Sequence, residues 1–367
     1  MQRLLSMATL AVLGGLAFLF LRESPVDPNN PQGGAPGGFT QAPTGAAPGW
    51  NQTPAPNLPA SWGQGSPVAQ PASPGAQPNQ NASVFRPVSS SPVVPPASGP
   101  TIRIASFNIQ VFGKTKASKP YVMYTLAEIV RQFDVVAIQE IRTQDDYHIP
   151  NFVKLINQNG RRYDHLVGPR IGNTTSTEQY AFIYDTDRIE MDHSSHYTVR
   201  DPDNLLHREP LVANFRTKLN PDEAFTFTLV NVHTDPDVVA MEMDALAEVY
   251  RVVRRAGGAE DDVIMLGDFN TDDKHLGRLG QIPGIQALVT GVFSNTRQNK
   301  LYDNLIVHQY STTEYTGRSG IFDMMRYFNL SLDQAEQVSD HFPVWAEFSA
   351  FERDYAGRIA NRRGTLR

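Results

Sequence analysis

The distribution of proline is the feature that most limits how this chain can fold. Eighteen of its 27 prolines lie in residues 25–100. Proline fixes φ and removes a backbone donor, so a run this dense cannot form a helix or a central strand. The stretch is otherwise rich in Gly, Ala, Gln, Asn and Ser, which bury too little apolar surface to offset the entropy of ordering. We predict a disordered linker over residues 24–100 and a folded domain over residues 101–350.

Net charge divides the chain in the same way. The whole chain carries −6, of which residues 1–100 contribute +1 and the basic tail 351–367 contributes +3, leaving −10 for residues 101–350. A domain this acidic does not attract nucleic acid through its overall field. To act on a phosphate polymer it would need carboxylates that gather metal and a local cationic patch.

The chain has no cysteine, which excludes a disulfide scaffold, thiol catalysis and zinc–thiolate sites.

The N-terminus carries an uncharged apolar segment, residues 4–21, between Arg3 and Arg22. Eighteen helical residues span about 27 Å, close to the roughly 30 Å of a bilayer's hydrocarbon core. Two interpretations remain open: residues 1–23 form an uncleaved signal anchor, or a signal peptide that is cleaved after Ala17. The apolar run continues past Ala17, which favours the anchor. Both interpretations predict an exported domain, either anchored in the membrane by a single pass or secreted.

Hydrophobic patterns predict the secondary structure of the domain. Strands are predicted at residues 102–108, 134–140, 179–185, 225–233, 262–270, 301–307 and 339–348. A helix is predicted at residues 120–132, and a second one is predicted to begin with Asp235 as its N-cap and Pro236 in its first turn. Strands rich in β-branched and aromatic residues, broken by two or three helices, favour an α/β sandwich of two packed sheets.

Polar side chains recur at the ends of five of these strands. They are Asn108, Glu140, His233, Asp268 with Asn270, and Asp340 with His341. If the strand ends lie side by side, these groups form an oxygen-rich pocket at one edge of the sheets. Oxygen ligands without thiolate suit Mg²⁺, Mn²⁺ or Ca²⁺, and the two imidazoles titrate near neutrality. The pattern therefore predicts a metal-assisted hydrolase.

Eight segments in one order resemble the deoxyribonuclease I branch of the endonuclease/exonuclease/phosphatase superfamily. They are SFNIQVFGKTK, VVAIQEIR, STEQYAFIYD, HREP, VNVHTDP, MLGDFNTD, LYDNLIV and VSDHFPV, and they cover roughly residues 101–349. GDFN and SDH are typical of the whole superfamily, whereas FNI-x-x-FG, REP and HT-x-P-x-x-x-x-x-E are typical of this branch. The resemblance implies a four-layer α/β sandwich, in which helices flank two packed, mostly antiparallel sheets. It also implies hydrolysis of DNA to 5′-phosphate and 3′-hydroxyl ends with little sequence preference.

The resemblance further implies a metal centre. Glu140 is expected to be the principal ligand of Mg²⁺ or Mn²⁺, with Ca²⁺ as a further candidate ion. Asn108, Asp268 and Asp340 are expected around the same ion.

The resemblance implies two histidine–carboxylate pairs, His233 with Glu178 and His341 with Asp303. Each acid would orient its imidazole and favour the charged form. His341 is assigned to the attacking water and His233 to the leaving 3′-oxygen.

Three further residues are expected to contact the DNA phosphate backbone or groove. Asn270 would hold a phosphate oxygen beside Asp268, Arg208 of HREP would bind phosphate, and Arg142 would contact the groove. The planar guanidinium group suits phosphate and base-edge acceptors.

The chain also departs from the family pattern. Ser176 replaces the family's groove-entering aromatic residue, and Asn304 replaces a basic residue. The family's disulfide positions are occupied here by Asp273 and Lys300, so loop 271–300 must be held in another way.

Three functional hypotheses therefore remain open. The leading hypothesis is an exported or membrane-tethered endonuclease with a monomeric catalytic domain. A second is an exported phosphoesterase of the same superfamily that acts on phospholipid, inositol phosphate or abasic-site DNA. The third is an inactive tethered binding module, whose signature would be a missing histidine or metal-ligating carboxylate; the sequence has all of them.

Overall fold

The computed structural model describes residues 100–173, 177–258 and 260–353. The N-terminal apolar segment, the linker except Pro100, Ser176 and nearly all of the basic tail lie outside the described residues. Within them, no helix combines the length and the apolar character needed to cross a bilayer.

Thirteen strands and seven α-helices form the described part of the chain. The strands are β1 (Thr101–Phe112), β2 (Val135–Ile141), β3 (Tyr163–Val167), β4 (Gln179–Asp185), β5 (Ile189–Met191), β6 (Tyr197–Thr198), β7 (Leu211–Thr217), β8 (Thr226–His233), β9 (Val263–Asp268), β10 (Ile285–Ala287), β11 (Asp303–His308), β12 (Tyr315–Ile321) and β13 (Val344–Ser349). The helices are α1 (Lys114–Ala117), α2 (Pro120–Val130), α3 (His148–Ile156), α4 (Val239–Ala256), α5 (Gly277–Gly280), α6 (Met324–Phe328) and α7 (Leu332–Val338).

The strands form two mixed sheets. The first has the order β12-β13-β1-β2-β4-β3, and the second has the order β10-β11-β9-β8-β7-β5, with β6 beside β7. Each sheet contains one parallel pair, β1–β2 in the first and β8–β9 in the second. The other pairings are antiparallel. The prediction of two mostly antiparallel sheets is confirmed.

Three apolar clusters hold the sheets and helices together. The cluster between the two sheets includes Phe182, Phe227 and Phe348. The other two pack α2 and α3 against the outer face of the first sheet and α4 against the outer face of the second. Helices thus flank both sheets, as the α/β sandwich requires. The apolar helix expected before the domain lies outside the described residues.

Two details of the predicted secondary structure are wrong. Asp235 does not cap α4, because that helix begins at Val239 and no side chain caps it. Asp235 instead closes a turn by accepting a hydrogen bond from the Asp237 amide at 2.9 Å. The last predicted strand is also shorter at its start, because residues 339–343 form a loop and β13 begins only at Val344.

Strand direction explains why the predicted polar residues lie at one edge of the sheets. Each parallel pair ends at this edge, where His233 of β8 lies opposite Asp268 of β9. β11 runs antiparallel to β9, so Asp303 at its start also lies opposite Asp268. We call this edge, with the starts and ends of strands that meet there, the polar edge.

Gly267 allows the parallel strands β8 and β9 to approach each other closely next to the polar edge. A Cβ atom added at Gly267 would lie 1.9 Å from the Val232 carbonyl oxygen. Since that neighbour is backbone, the two strands could accommodate a side chain only by separating.

We expect Gly267→Ala to lower the free energy of unfolding by about 1–3 kcal/mol, as overpacking typically does. Urea denaturation followed by circular dichroism measures the change. Gly320→Ala in β12 is the matched control, because its added Cβ would meet no heavy atom within 4 Å. Equal denaturation midpoints for the two variants would contradict the expectation.

Candidate active site

Asn108 joins the two sheets at the polar edge. Its side-chain Nδ2 donates to Glu140 Oε1 at 3.1 Å and to Asp268 Oδ2 at 3.0 Å. The pairing register shifts where these strands reach the polar edge, both between β1 and β2 and between β2 and β4. Glu140 itself has a φ of 60°, and its Oε2 accepts from the Val111 amide at 2.8 Å. The backbone thus holds Glu140 in the left-handed region, a costly conformation that concentrates at functional sites.

Both predicted catalytic histidines face the buried Asp268 carboxylate. The Nε2 atoms of His233 and His341 each lie 3.7 Å from Asp268 Oδ2. His341 Nε2 also lies 3.7 Å from Asp340 Oδ1. The structure therefore brings the imidazole at the end of β8 and an imidazole from loop 339–343 to one carboxylate, and the carboxylate of Asp340 lies beside them.

Glu178 contacts the ring nitrogen of His233 that does not face Asp268. Its Oε1 lies 2.8 Å from His233 Nδ1, and the carboxylate is fully buried. Burial alone would raise the pKa of Glu178, but His233, Arg208 and Arg142 together lower it. Burial would likewise lower the pKa of His233, and the Glu178 carboxylate raises it instead. Glu178 therefore fixes the ring orientation and favours the imidazolium form.

Asp303 holds His341 in the same way. Its Oδ2 lies 2.8 Å from His341 Nδ1 and accepts a hydrogen bond from Ser294 Oγ at 2.6 Å. Although burial opposes the charged ring, the carboxylates of Asp303 and Asp268 raise the pKa of His341 to about 10.

Asn270 lies next to Asp268. Its backbone amide donates to Asp268 Oδ1 at 2.9 Å, and its Nδ2 donates to the Thr234 carbonyl at 2.8 Å. With a φ of 49°, Asn270 occupies the left-handed region that asparagine tolerates better than most residues.

The two predicted DNA-binding arginines lie beside these acids. Arg208 is buried, with 6% of its side chain exposed, and its Nε lies 3.3 Å from Glu178 Oε2. Arg142 is 28% exposed and bridges Glu140 at 3.2 Å and Glu178 at 3.5 Å. Arg142 is therefore the more accessible cation, whereas Arg208 is buried against Glu178.

Loop 271–300 is held by hydrogen bonds. In the described residues no ion pair joins Asp273 to Lys300. Ser294 instead accepts from the Phe342 amide at 2.6 Å through its carbonyl and from the Tyr302 amide at 2.9 Å through its hydroxyl. Asn304 provides a second contact to the loop, because its buried side chain donates to the Val289 carbonyl and accepts from the Val289 amide.

Three residues that support the site were not identified from the sequence. Ser294 orients Asp303, as described above. Ser339 Oγ donates to the Asn108 carbonyl at 2.7 Å and accepts from the His341 amide at 3.1 Å. Lys116 Nζ donates to the Ile109 and Val338 carbonyls at 2.7 Å each. Ser339 and Lys116 lie within the recognised segments, so their positions carried a signal; Ser294 had none.

The donor set at the polar edge fits a divalent cation. Asp268, Asp303 and His341 offer ligand atoms that all lie within 4.8 Å of one another. Asp340 Oδ1 is buried and has no hydrogen-bond partner. Of the four predicted ligands, Asp268 belongs to this group, and Asp340 lies 3.7 Å from His341. Asn108 reaches Glu140 and Asp268 through its Nδ2 donor, whereas its Oδ1 accepts from the Gln110 amide at 2.9 Å. Carboxylate and amide oxygens suit Mg²⁺, Mn²⁺ and Ca²⁺.

Comparison with known proteins places the chain in a family. The model of the Endonuclease/Exonuclease/phosphatase family matches residues 105–324. Deoxyribonuclease gamma of Homo sapiens is 30% identical over 263 residues, which are 66% of this chain and 84% of that protein. Deoxyribonuclease-1-like 1 of Sus scrofa is 33% identical over 261 residues, which are 67% of this chain and 81% of that protein. Among solved structures, a humanised TDP2 of D. rerio matches at 16% identity and a TM-score of 0.49, covering 68% of this chain and 100% of that one.

The chain belongs to the endonuclease/exonuclease/phosphatase family. Within that family it belongs to the deoxyribonuclease I-like branch, as the sequence motifs predicted.

In EDTA, we expect Asp303→Asn to lower the pKa of His341 from about 10 toward the ordinary value of about 6.5. Because the wild-type pKa is raised on folding, protonation of His341 stabilises the fold fully below about pH 6.5 and loses that effect as the pH rises through about 10. The variant, which keeps Asp268, should lose the part of this contribution that comes from Asp303. NMR titration of ¹⁵N-labelled imidazoles measures the pKa.

Asp272→Asn is the control for this titration, because Asp272 pairs with the exposed His275. That variant should leave the pKa of His341 where it is. An unchanged His341 titration in Asp303→Asn would show that Asp303 is not the group that raises the pKa.

Proposed function

We propose that this protein is a divalent-metal-dependent endonuclease that hydrolyses DNA to 5′-phosphate and 3′-hydroxyl ends with little sequence preference. The observation that carries the proposal is the pair of imidazoles, each held by a buried carboxylate, that face Asp268. The relatives named deoxyribonuclease gamma and deoxyribonuclease-1-like 1 support DNA as the substrate.

The two imidazoles perform the proton transfers. His341, oriented by Asp303, accepts a proton from the attacking water through Nε2. His233, oriented by Glu178, donates a proton to the leaving 3′-oxygen through Nε2. Positioned acid–base groups of this kind contribute about 10²–10⁴-fold each.

Mg²⁺ or Mn²⁺ is the proposed cofactor, with Ca²⁺ as a further candidate, and Glu140, Asn108, Asp268 and Asp340 are its proposed ligands. A cation there would neutralise charge that develops on the phosphoryl oxygens and would favour the neutral form of the nearby His341.

Substrate binding is assigned to three residues. Asn270 lies beside Asp268 and offers an amide to a phosphate oxygen. Arg142, the more exposed guanidinium, contacts the DNA. Arg208 attracts the phosphate and also contacts Glu178. Local cations of this kind must attract DNA, because the domain as a whole is acidic.

The two other functions are not favoured. The relatives whose length this chain mostly covers are deoxyribonucleases by name. Both histidines and the acidic residues around them also lie together at the polar edge, so no feature of the site favours an inactive binding module.

We expect the full-length protein to nick supercoiled plasmid in Mg²⁺ or Mn²⁺ and to lose this activity in EDTA. His341→Ala should lower the nicking rate by about 10²–10⁴-fold, because it removes a proton-transfer group. Gel-based initial rates measure both effects, and rates in Mg²⁺, Mn²⁺ and Ca²⁺ rank the ions.

His196→Ala is the matched control, because the His196 ring contacts the His193 carbonyl and no residue of the polar edge in the described structure. It should nick at the wild-type rate. Nicking that survives EDTA, or a folded His341→Ala protein of full activity, would refute the mechanism. A folded, metal-binding wild type that does not nick would point to phospholipid or inositol phosphate as substrate.

We also propose that residues 1–23 act as a signal anchor that holds an exported, monomeric domain through the linker 24–100. The length of the apolar segment 4–21 supports this proposal. The full chain should then remain in the membrane pellet after alkaline carbonate extraction, and Val12→Arg should release it. Mass spectrometry of the N-terminus distinguishes the alternative, since a soluble chain that begins at Phe18 would identify a cleaved signal peptide.

A further inference from the structure

A second group of carboxylates lies at the opposite end of the sheets from the polar edge. Asp262 immediately precedes β9, Glu314 precedes β12 and Glu352 follows β13. Ligand oxygens of these three residues, here called the acidic cluster, all lie within 4.8 Å of one another. Since Asp262 and Asp268 are at opposite ends of one strand, the acidic cluster lies about 20 Å from the catalytic centre.

The acidic cluster is buried and has no basic partner among the described residues. Asp262 is 3% exposed and Glu314 is fully buried. No arginine, lysine or histidine of the described residues forms an ion pair with any of the three acids. A fourth carboxylate comes close, because Glu260 Oε1 accepts a hydrogen bond from the Asp262 amide at 2.8 Å. Glu314 Oε1 accepts a hydrogen bond from the Arg353 amide at 2.7 Å, but buried carboxylates without a cationic partner are strongly unfavourable unless they bind a proton or a cation.

Two oxygens of the cluster are unpartnered, and this second observation points to a ligand. Asp262 Oδ1 and Glu314 Oε2 are buried and have no hydrogen-bond partner. The hydroxyl of Thr312 lies beside Asp262 and provides a further oxygen. These oxygens therefore either hold protons or point at a bound cation.

We propose that Asp262, Glu314 and Glu352 form a structural Ca²⁺ site. The donors are all oxygens, and Ca²⁺ accepts six to eight oxygen ligands in flexible geometry. Mg²⁺ gives up its water shell reluctantly and demands near-octahedral geometry, which a buried set of carboxylates from three segments does not readily supply. The site is independent of the proposed nuclease activity.

The position of the acidic cluster indicates what the ion would do. Asp262 belongs to the second sheet, whereas Glu314 and Glu352 flank strands of the first sheet. At the same end of the molecule, the Ala350 amide donates to the Pro100 carbonyl, so both ends of the described domain meet there. A bound Ca²⁺ ion would therefore join the two sheets where the chain enters and leaves the domain.

Equilibrium dialysis of the full-length protein with radioactive Ca²⁺ tests the proposal. Glu314→Gln, which keeps the shape of the side chain, should bind one Ca²⁺ ion fewer per chain than the wild type. At an excess of about 100 Kd, Ca²⁺ should raise the wild-type Tm by about 5 °C or more, and Glu314→Gln should lose that part of the shift. Asp262→Asn should behave in the same way and serves if Glu314→Gln does not fold.

Asp261→Asn is the matched control. Asp261 is adjacent in sequence, but its side chain is 53% exposed and lies 3.6 Å from Arg254. This variant should bind as many Ca²⁺ ions as the wild type. Circular dichroism and plasmid nicking in Mg²⁺, both at wild-type levels in Glu314→Gln, would show that the variant is folded and would separate this result from any failure of the nuclease proposal. Equal Ca²⁺ stoichiometry in the wild type and both cluster variants, or no bound Ca²⁺ in the wild type, would overturn the proposal.

Discussion

The hydrogen bond from Asn108 to Asp268 is the contact on which the arrangement of the polar edge depends. It joins the first sheet to the second at 3.0 Å, between residues that are 160 positions apart in the chain. A second amide contact, from Gln139 Nε2 to Asn231 Oδ1 at 2.6 Å, joins the same sheets through their buried central strands. Because buried polar groups need partners, these contacts restrict how the sheets can slide over each other. The position of every acid and imidazole at the edge follows from that alignment.

The electrostatics of the site require this rigidity. Glu178, Asp268 and Asp303 are almost completely buried, and each is unfavourable there without a compensating group. His233 and His341 provide that compensation, and the same contacts fix the rings with both Nε2 atoms directed at Asp268. The groups that keep the acids stable in the interior are thus the groups that we propose to transfer protons. The left-handed backbone conformation of Glu140 is also costly, so the surrounding sheet must hold it in place.

The sequence predicted seven of the thirteen strands of the described structure, namely β1, β2, β4, β8, β9, β11 and β13, and the polar residues at their ends, because both leave periodic patterns. It did not predict β7 or the short strands β5, β6 and β10. It also did not predict β3 and β12, whose sequences YDHLV and YTGRSGI mix polar residues with apolar ones at the edges of the first sheet. The short helices α6 and α7 have too few turns to show a helical period. Ser294 was missed for a different reason. It lies in an irregular loop, and its contact with Asp303 depends on the path of that loop, which no local pattern encodes.

The hydroxyl and carbonyl of Ser294 hold loop 271–300 where related proteins are expected to have a disulfide. Hydrogen bonds form as soon as the groups meet, whereas a disulfide needs an oxidant and often an isomerase. Since the chain has no cysteine, thiol reductants have no bond to break in it. The loop that supports His341 therefore forms in the same way in oxidising and reducing surroundings, and the redox state of the surroundings does not determine whether the polar edge is assembled.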